Sequence, residues 1–258
     1  MSVEYTVEGD VALITLNRPD RYNAIDASLS DGLQHALERA GRESRVAILT
    51  GGGKAFCSGA DLNSLLTDYE DGDGPDLAGL LENVFHPALN ALLECRVPVI
   101  GAINGVAAGA GLGLAFACDL RVMAEDSYLT SAFTAIGLAP DSGTTWWLPH
   151  NLGISRALEF ALTNRRISAQ EARDLGLCAD VVPADALLDR ANDLARGLAD
   201  LVPDALVTTR RLIREAAGIS LEDAMLAEQA AQGRLGMTPE HREGVMAFIA
   251  KRKPNFRM

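Results

Sequence analysis

The apolar positions change their period along the chain, and each change marks an element. Tyr5–Val7 and Val11–Leu16 alternate apolar with polar residues on either side of Gly9-Asp10, a hairpin pattern. A polar loop from Asn17 to Asn23 follows, carrying Pro19. Asp26 then stands as an N-cap before Leu29, Leu33, Leu37 and Ala40, which share one helical face. Val46–Thr50 is a short unbroken apolar run, a buried strand ending in Gly51-Gly52-Gly53. The acidic, glycine-containing stretch Asp68–Asp76 reads as a solvated surface loop, and Leu77–Leu93 returns to a helical period.

The longest apolar segment is Val97–Leu114. It opens β-branched, passes Gly101, Gly105, Gly109, Gly111 and Gly113, and closes as a small-residue helix ending near Cys118. This predicts a strand, a tight loop and a helix N-terminus whose unpaired N–H groups face negative charge on a ligand. Two other readings compete. Glycine at every fourth position from Gly101 to Gly113 is the spacing of packed membrane helices. Pro98 and Asn104 interrupt that reading, no aromatic belt flanks the run, and Arg96 and Arg121 give it no charge asymmetry. A tightly packed strand and helix without any ligand stays open. Gly109-Ala110-Gly111-Leu112-Gly113 lacks the dinucleotide spacing G-x-G-x-x-G.

Beyond it, Asp119–Met123 and Tyr128-Leu129 are short strand candidates, Ile136–Gly143 is a turn, and a helix starts at Thr144. Ser168 with Glu171 forms a capping box, Gly176 ends that helix, and Val181-Val182-Pro183 is extended. From Ala184 the pattern is helical to the end, with starts at Pro203, Ser220 and Thr238-Pro239. Alternating strands and helices indicate an α/β core over residues 1–199 and a helical region over 200–258.

Composition narrows the function. With 23 Lys+Arg against 35 Asp+Glu the net charge is −12, which argues against nucleic acid as a partner. Cys57, Cys95, Cys118 and Cys178 lack C-x-x-C spacing and His35, His86, His150 and His241 are dispersed, so no metal motif appears. Such cysteines read as core residues of a reducing compartment, and Met1–Tyr5 has no basic or apolar leader pattern. The expectation is a cytoplasmic protein.

The glycine loops after Thr50 and after Asn104 suggest a joint role. Each can offer one backbone N–H, from Ala60 and from Ala110, to a single developing oxyanion, as thioester chemistry requires. Losing one such donor typically costs about 2.7–4 kcal/mol of barrier. Glycine loops after strands also occur with no ligand.

Asn17-Arg18-Pro19 with Asn23-Ala24, Ala55–Leu62, and Pro98–Gly105 running on to Gly113 resemble the crotonase (enoyl-CoA hydratase/isomerase) superfamily. Pro140-Asp141-Ser142-Gly143, Ala169–Ala172 and Glu243–Phe248 continue the resemblance through nearly the whole chain. It implies a ClpP-like spiral of ββα units, a helical trimerisation tail, and a homotrimer or dimer of trimers. It also implies a coenzyme A thioester as substrate, with no tightly bound cofactor, and Ala60 and Ala110 at the oxyanion-hole positions. Arg21, Asn23, Ala24, Lys54, Ser58, Ala60, Asp61, Leu62, Phe248 and Lys251 are the residues the resemblance brings to CoA. Gly109, Gly113, Phe133, Leu138 and Trp146 are those it brings to the acyl group. Asp61 is expected to shape its loop by capping, and Trp147 to line a core or subunit contact.

The reaction within the superfamily turns on departures from its pattern. Hydratases that resemble this chain carry glutamates where it has Gly113 and Phe133, so hydration loses both carboxylates. Asp141 falls where two branches place a functional aspartate. In the ring-epoxyphenylacetyl-CoA isomerase of phenylacetate breakdown it is the acid/base; in chlorobenzoyl-CoA dehalogenases it attacks an aryl carbon. The dehalogenase pattern also asks for tryptophan in place of Phe133 and a histidine on the preceding helix, from which His86 is displaced by a turn. Read without the resemblance, Asp141 is a turn or N-cap aspartate ahead of Thr144. The favoured expectation is an isomerase shifting a double bond from 3-enoyl-CoA to 2-enoyl-CoA, Asp141 moving the proton. Hydratase, hydrolase or dehalogenase activity and a non-catalytic acyl-CoA binder are the alternatives.

Overall fold

Successive strands go to two different sheets, and this alternation builds the molecule. A computed structural model describes residues 1–66, 69 and 74–257. The hairpin β1 (Val3–Glu8) and β2 (Val11–Leu16) opens the larger sheet, which continues through β3 (Val46–Gly51). The next strand, β4 (Ala55–Cys57), belongs to the smaller sheet. Likewise β5 (Val99–Ile103) joins the larger sheet and β6 (Val106–Ala108) the smaller; β7 (Leu120–Ala124) and β8 (Tyr128–Thr130) repeat the step. β9 (Arg166–Ser168) closes the small sheet and β10 (Asp180–Val182) the large one. From β2 onward the larger sheet is parallel, as are β4, β6 and β8. Strand pairs separated by helical segments thus wind as a spiral of ββα units.

The helices cover both faces of the larger sheet, which explains why β3 reads as an unbroken apolar run. Ala47 and Leu49 face the cluster that contains Leu29, Leu33 and Leu37 of α1 (Ala27–Glu43). Val46 and Ile48 face a second cluster with Leu187, Ala191, Ala195 and Ala199. Asp26 caps α1 as its sequence position suggests, accepting from the Leu29 N–H at 2.8 Å.

The helix expected over Leu77–Leu93 is present with a defect. α2 (Leu77–Leu80) and α3 (His86–Leu93) are joined by a π-helical turn, Leu81–Phe85. Pro87 has no N–H to give the preceding turn, and the Val84 carbonyl accepts from the buried Ser30 hydroxyl of α1 at 2.6 Å. Asp68 and residues 70–73 of the expected acidic loop lie outside the described residues.

Two expectations need correction. The span between Val97 and the helix is two strands in different sheets, with Asn104-Gly105 as the corner, and not one strand followed by a loop. A Cβ at Gly105 would lie 2.1 Å from the Lys54 carbonyl, so only glycine lets the corner close. Nor is the chain helical to its end. After α4 (Ala110–Ala117), α5 (Thr144–Leu152), α6 (Ile154–Thr163), α7 (Ala169–Asp174), α8 (Leu187–Ala199), α9 (Pro203–Ala216), α10 (Leu221–Leu235) and α11 (Pro239–Ile249), an irregular tail follows. It is held by ion pairs of Lys253 with Asp200 (2.7 Å) and Arg257 with Asp10 (2.6 Å).

The helical region is anchored through charge. Asp119, at the foot of β7, pairs with Arg210 (3.2 Å) and Arg214 (2.9 Å) of α9 and accepts from the Val99 N–H at 2.8 Å.

Candidate active site

The first half of the site is the Ala60 loop. Ile25 forms a single parallel bridge with it: the Ile25 N–H donates to Gly59 O (2.7 Å), and Asp61 N–H donates to Ile25 O (3.1 Å). In that pattern the intervening Ala60 N–H turns to the opposite side, away from Ile25. Arg18 fastens the loop from below, reaching Asp61 at 2.8 Å and Asp26 at 3.0 Å and donating to the Ala24 carbonyl. Burial opposes ionisation of Asp61, but the Arg18 guanidinium and the Asn63 N–H overcome it and hold the carboxyl below its ordinary range. Asp61 therefore shapes the loop.

The second half is the start of α4. Ala110 is its first residue, where an N–H has no preceding helical turn to accept it, and Gly109 at φ 54°, ψ −128° supplies no side-chain cap. The two halves touch at Gly59, φ 96°. A Cβ there would sit 2.9 Å from Ala108 O and 3.3 Å from Ala110 N. Gly111 is as constrained, its Cβ position lying 2.2 Å from Cys57 O. The glycines thus let the two backbones cross closely, with Ala110 N beside Gly59, the residue before Ala60. Asn104 fixes the crossing from behind, accepting from Gly51 N–H at 3.0 Å and donating to Gly53 O at 3.1 Å and Ala55 O at 3.2 Å. At the other end of α4, Arg121 donates to Cys118 O (2.9 Å) and Arg214 to Ala117 O (2.8 Å). The two arginines complement the negative end of the α4 dipole, and the positive end at Ala110 has no side-chain cap.

A turn completes the site. Gly113, one turn into α4, meets the Ser142 peptide: a Cβ at 113 would lie 2.4 Å from Ser142 O and 3.0 Å from Ser142 Cβ. This seats the Pro140–Gly143 turn directly on the helix. Asp141 does not cap α5, whose N-cap is Gly143; the Asp141 carbonyl instead accepts from Thr144 N–H (2.9 Å) and Thr144 Oγ1 (2.7 Å). Its carboxylate accepts one side-chain hydrogen bond, from Ser142 Oγ at 2.8 Å. Burial pushes the Asp141 carboxyl above its ordinary value, outweighing the Ser142 hydroxyl and the positive charge of His86, which both pull it down. The two carboxyl groups thus differ: the Arg18 guanidinium holds Asp61 below its ordinary range, and burial holds Asp141 above it.

Other residues singled out from the sequence fall at varied distances from this crossing. Phe133 is buried, with Cζ 3.9 Å from the Cβ position of Gly109, so it lies against the second loop. Leu138 is half-buried and its N–H returns to Phe133 O at 3.1 Å. Trp146 is 40% exposed, stacks on His150 at 4.1 Å and meets Trp147 edge-on. It borders a cavity of about 640 Å³ shared with Leu89, Gly143 and Arg210 of α9. Ala60, Ala110 and Asp141 do not line that cavity, so the chemistry is assigned from the loop crossing and not from its volume. Asn23 is fully buried at φ 55°, donates its amide to Ala55 O (2.7 Å) and Gly52 O (3.0 Å) and accepts from Arg18 N–H. Its side chain thus ties the Arg18 loop to the start of β4. Arg21, Lys54 and Leu62 are exposed, Ser58 is half-buried, and Ala24 is buried with its carbonyl committed to Arg18. Phe248 is 85% exposed and Lys251 stands just beyond it on the surface. Arg18 and Ser142 went unassigned in the sequence. Only their places beside Asn23 and Asp141 hinted at a role.

The loop crossing at Gly59 and the Asp141 turn seated on Gly113 make one glycine-dependent cluster within a ββα spiral. A family model described as Enoyl-CoA hydratase/isomerase matches residues 6–258. The chain is 39% identical to a probable enoyl-CoA hydratase of Rhodobacter capsulatus, over 99% of this chain and 97% of that protein. It is 38% identical to the 1,2-epoxyphenylacetyl-CoA isomerase of Escherichia coli, over 97% and 96% respectively. The crystal structure of an enoyl-CoA hydratase from Polaromonas superimposes with a TM-score of 0.92 at 32% identity, covering 99% of both chains. The protein belongs to the enoyl-CoA hydratase/isomerase family and has the crotonase fold. Among the described residues no helix is long and apolar enough to cross a membrane, and no cluster of three or more His, Cys, Asp or Glu forms a metal site.

Proposed function

We propose that this enzyme is an acyl-CoA isomerase that moves a double bond along the acyl chain, with Asp141 as its single acid/base. The observation that carries the reading is the seating of the Asp141 turn against Gly113 of the helix that begins at Ala110, with the Ser142 hydroxyl as the one side-chain donor to its carboxylate among the described residues. Asp61 is tied ionised to Arg18, a poor base, whereas burial makes Asp141 the more basic of the two. In a 3-enoyl-CoA, Asp141 takes a proton from C2 and the electron pair delocalises onto the thioester oxygen. The Ala60 and Ala110 N–H groups hold that oxygen as a dienolate. Neutral Asp141 returns the proton to C4, leaving the double bond between C2 and C3. One group suffices because C2 and C4 present the same face, and no atom is gained or lost.

Hydration is disfavoured by space as well as by composition. A glutamate at 113 has no room beneath Ser142 O, and position 133 is a buried phenylalanine. The Escherichia coli relative named as an isomerase adds weight, although the Rhodobacter relative is named as a hydratase. Coenzyme A enters as part of the substrate. The exposed apolar side chains of α11, Phe248 and Ile249 at 85% and 69%, support a homo-oligomer that covers them.

The test is conversion of 3-enoyl-CoA to the conjugated 2-enoyl-CoA, followed by absorbance. Asp141→Asn is expected to lower kcat by about 10²-fold or more. Wild-type turnover in that variant overturns the assignment, and rapid hydration of 2-enoyl-CoA by the native enzyme replaces it with a hydratase.

A further inference from the structure

We infer that Ser142 is a positioning residue that ties one oxygen of the Asp141 carboxylate and leaves the other as the proton carrier. The inference rests on the isomerase reading above and on three features of the turn. First, Ser142 Oγ donates to Asp141 Oδ1 at 2.8 Å, and among the described residues Oδ2 has no side-chain donor. Second, Ser142 lies at φ 49°, a left-handed conformation that serine adopts at a cost and that glycine would adopt freely. A buried, non-glycine residue in this region needs a compensating role, and the hydrogen bond to its neighbour's carboxylate is the one its side chain makes. Third, its own carbonyl is the atom wedged against Gly113 of α4. Ser142 therefore links the helix that carries the Ala110 donor to the carboxylate that moves the proton.

A carboxylate free to rotate presents either oxygen in many orientations, whereas one held at Oδ1 presents Oδ2 in a fixed direction. Single-base transfer from C2 to C4 needs that fixed direction, because the same oxygen must meet both carbons. The hydroxyl also stabilises the ionised form, so it keeps the buried carboxylate competent to accept a proton. His86, at the start of α3, is the other group whose charge acts on Asp141.

Ser142→Ala and Ser142→Gly both remove the hydroxyl, but only glycine relieves the backbone conformation. Measured in a His86→Gln background, to remove the neighbouring charge, both are expected to lower kcat on the order of tenfold, the scale of one hydrogen bond to a charged group. KM for the 3-enoyl-CoA is expected to stay unchanged, and the acid limb of kcat to move to higher pH in both variants. Ser142→Gly is expected to melt no lower than the native protein, which separates the catalytic loss from damage to folding. An unshifted acid limb with native kcat in both variants overturns the positioning role. If Asp141→Asn abolishes turnover at the same time, the isomerase reading stands and only the role of Ser142 falls; if Asp141→Asn is active, both fall.

Discussion

Gly113→Ala tests whether the Asp141 turn is seated on the oxyanion helix, because two opposing effects make its sign informative. In an ordinary helix interior the change favours folding by about 1 kcal/mol, since alanine is the better helix former. Here the new Cβ would stand 2.4 Å from Ser142 O and 3.0 Å from Ser142 Cβ. Ordinary contact begins at 3.4 Å, so helix and turn must part by 3.4 − 2.4 = 1.0 Å. Neither side yields easily. All eight residues of α4 are buried, and the turn is pinned by the two Thr144 bonds to Asp141 O, at 2.9 and 2.7 Å. Overpacking of this kind costs about 1–3 kcal/mol, enough to cancel the helix preference and leave a net loss of about 1 kcal/mol. For a chain of this length that lowers Tm by about 2–4 °C. The catalytic effect is larger. A displacement of about 1 Å of the base relative to the bound thioester costs about 10²-fold in kcat. Thermal melts and 3-enoyl-CoA turnover on the same preparation give both quantities. A variant that gains stability and keeps native kcat refutes the docking of the turn on α4, and with it the argument that no carboxylate fits at 113.

Two further predictions address the remaining carboxyl groups. Arg18→Gln leaves the partly buried Asp61 without its cation and loosens the Ala60 loop; kcat/KM is expected to drop about tenfold, and an unchanged value in steady-state kinetics would mean the Ile25 bridge alone holds Ala60. Asp141→Asn is expected to stabilise the fold at neutral pH, because a carboxyl raised on folding adds no stability difference while protonated in both states, then costs stability as pH rises from the ordinary carboxylate range through the raised value. Melts against pH should show the variant's advantage growing across that window and level above it, and parallel curves for the two proteins would refute the burial of Asp141.

Local chemistry in the sequence located most elements, and tertiary approach decided the rest. The N-caps Asp26, Ser168, Ser220 and Thr238 all accept from backbone N–H groups three residues on, because capping depends only on neighbours. The capping box at Ser168 is only half formed: Glu171 turns away to pair with Arg165 at 2.8 Å, a contact that sequence spacing does not encode. The hidden strand β6 failed for a different reason. Val106–Ala108 is three residues long, too short for a period, and pairs with β4 and β8 far along the chain. At the site, glycine spacing marked both loops, but why glycine is needed at 59, 105, 111 and 113 depends on backbones 2.1–2.9 Å from each missing Cβ. Asn23 is a similar case. The resemblance alone brought it to CoA, and burial assigns its amide to the carbonyls of Gly52 and of Ala55 at the start of β4.

Those contacts also explain how the site divides its work. The candidate oxyanion donors are backbone N–H groups, and what places them is the crossing at Gly59 and Gly109 together with the arginine-capped end of α4. Side-chain identity at positions 60 and 110 is immaterial to that geometry, so alanine at both loses nothing. The proton, in contrast, is handled by one side chain on one turn, and the turn reaches the helix only because position 113 has no Cβ. On the isomerase reading, stabilisation of an enolate is a property of the fold, while the fate of its proton falls to Gly113, Asp141 and Ser142. A carboxylate on the helix and a seated aspartate turn are mutually exclusive, since both need the space under Ser142 O. On the isomerase reading, the steric contact between α4 and this turn keeps a carboxylate from position 113, Phe133 occupies the other position, and Asp141 is left to relay the proton alone.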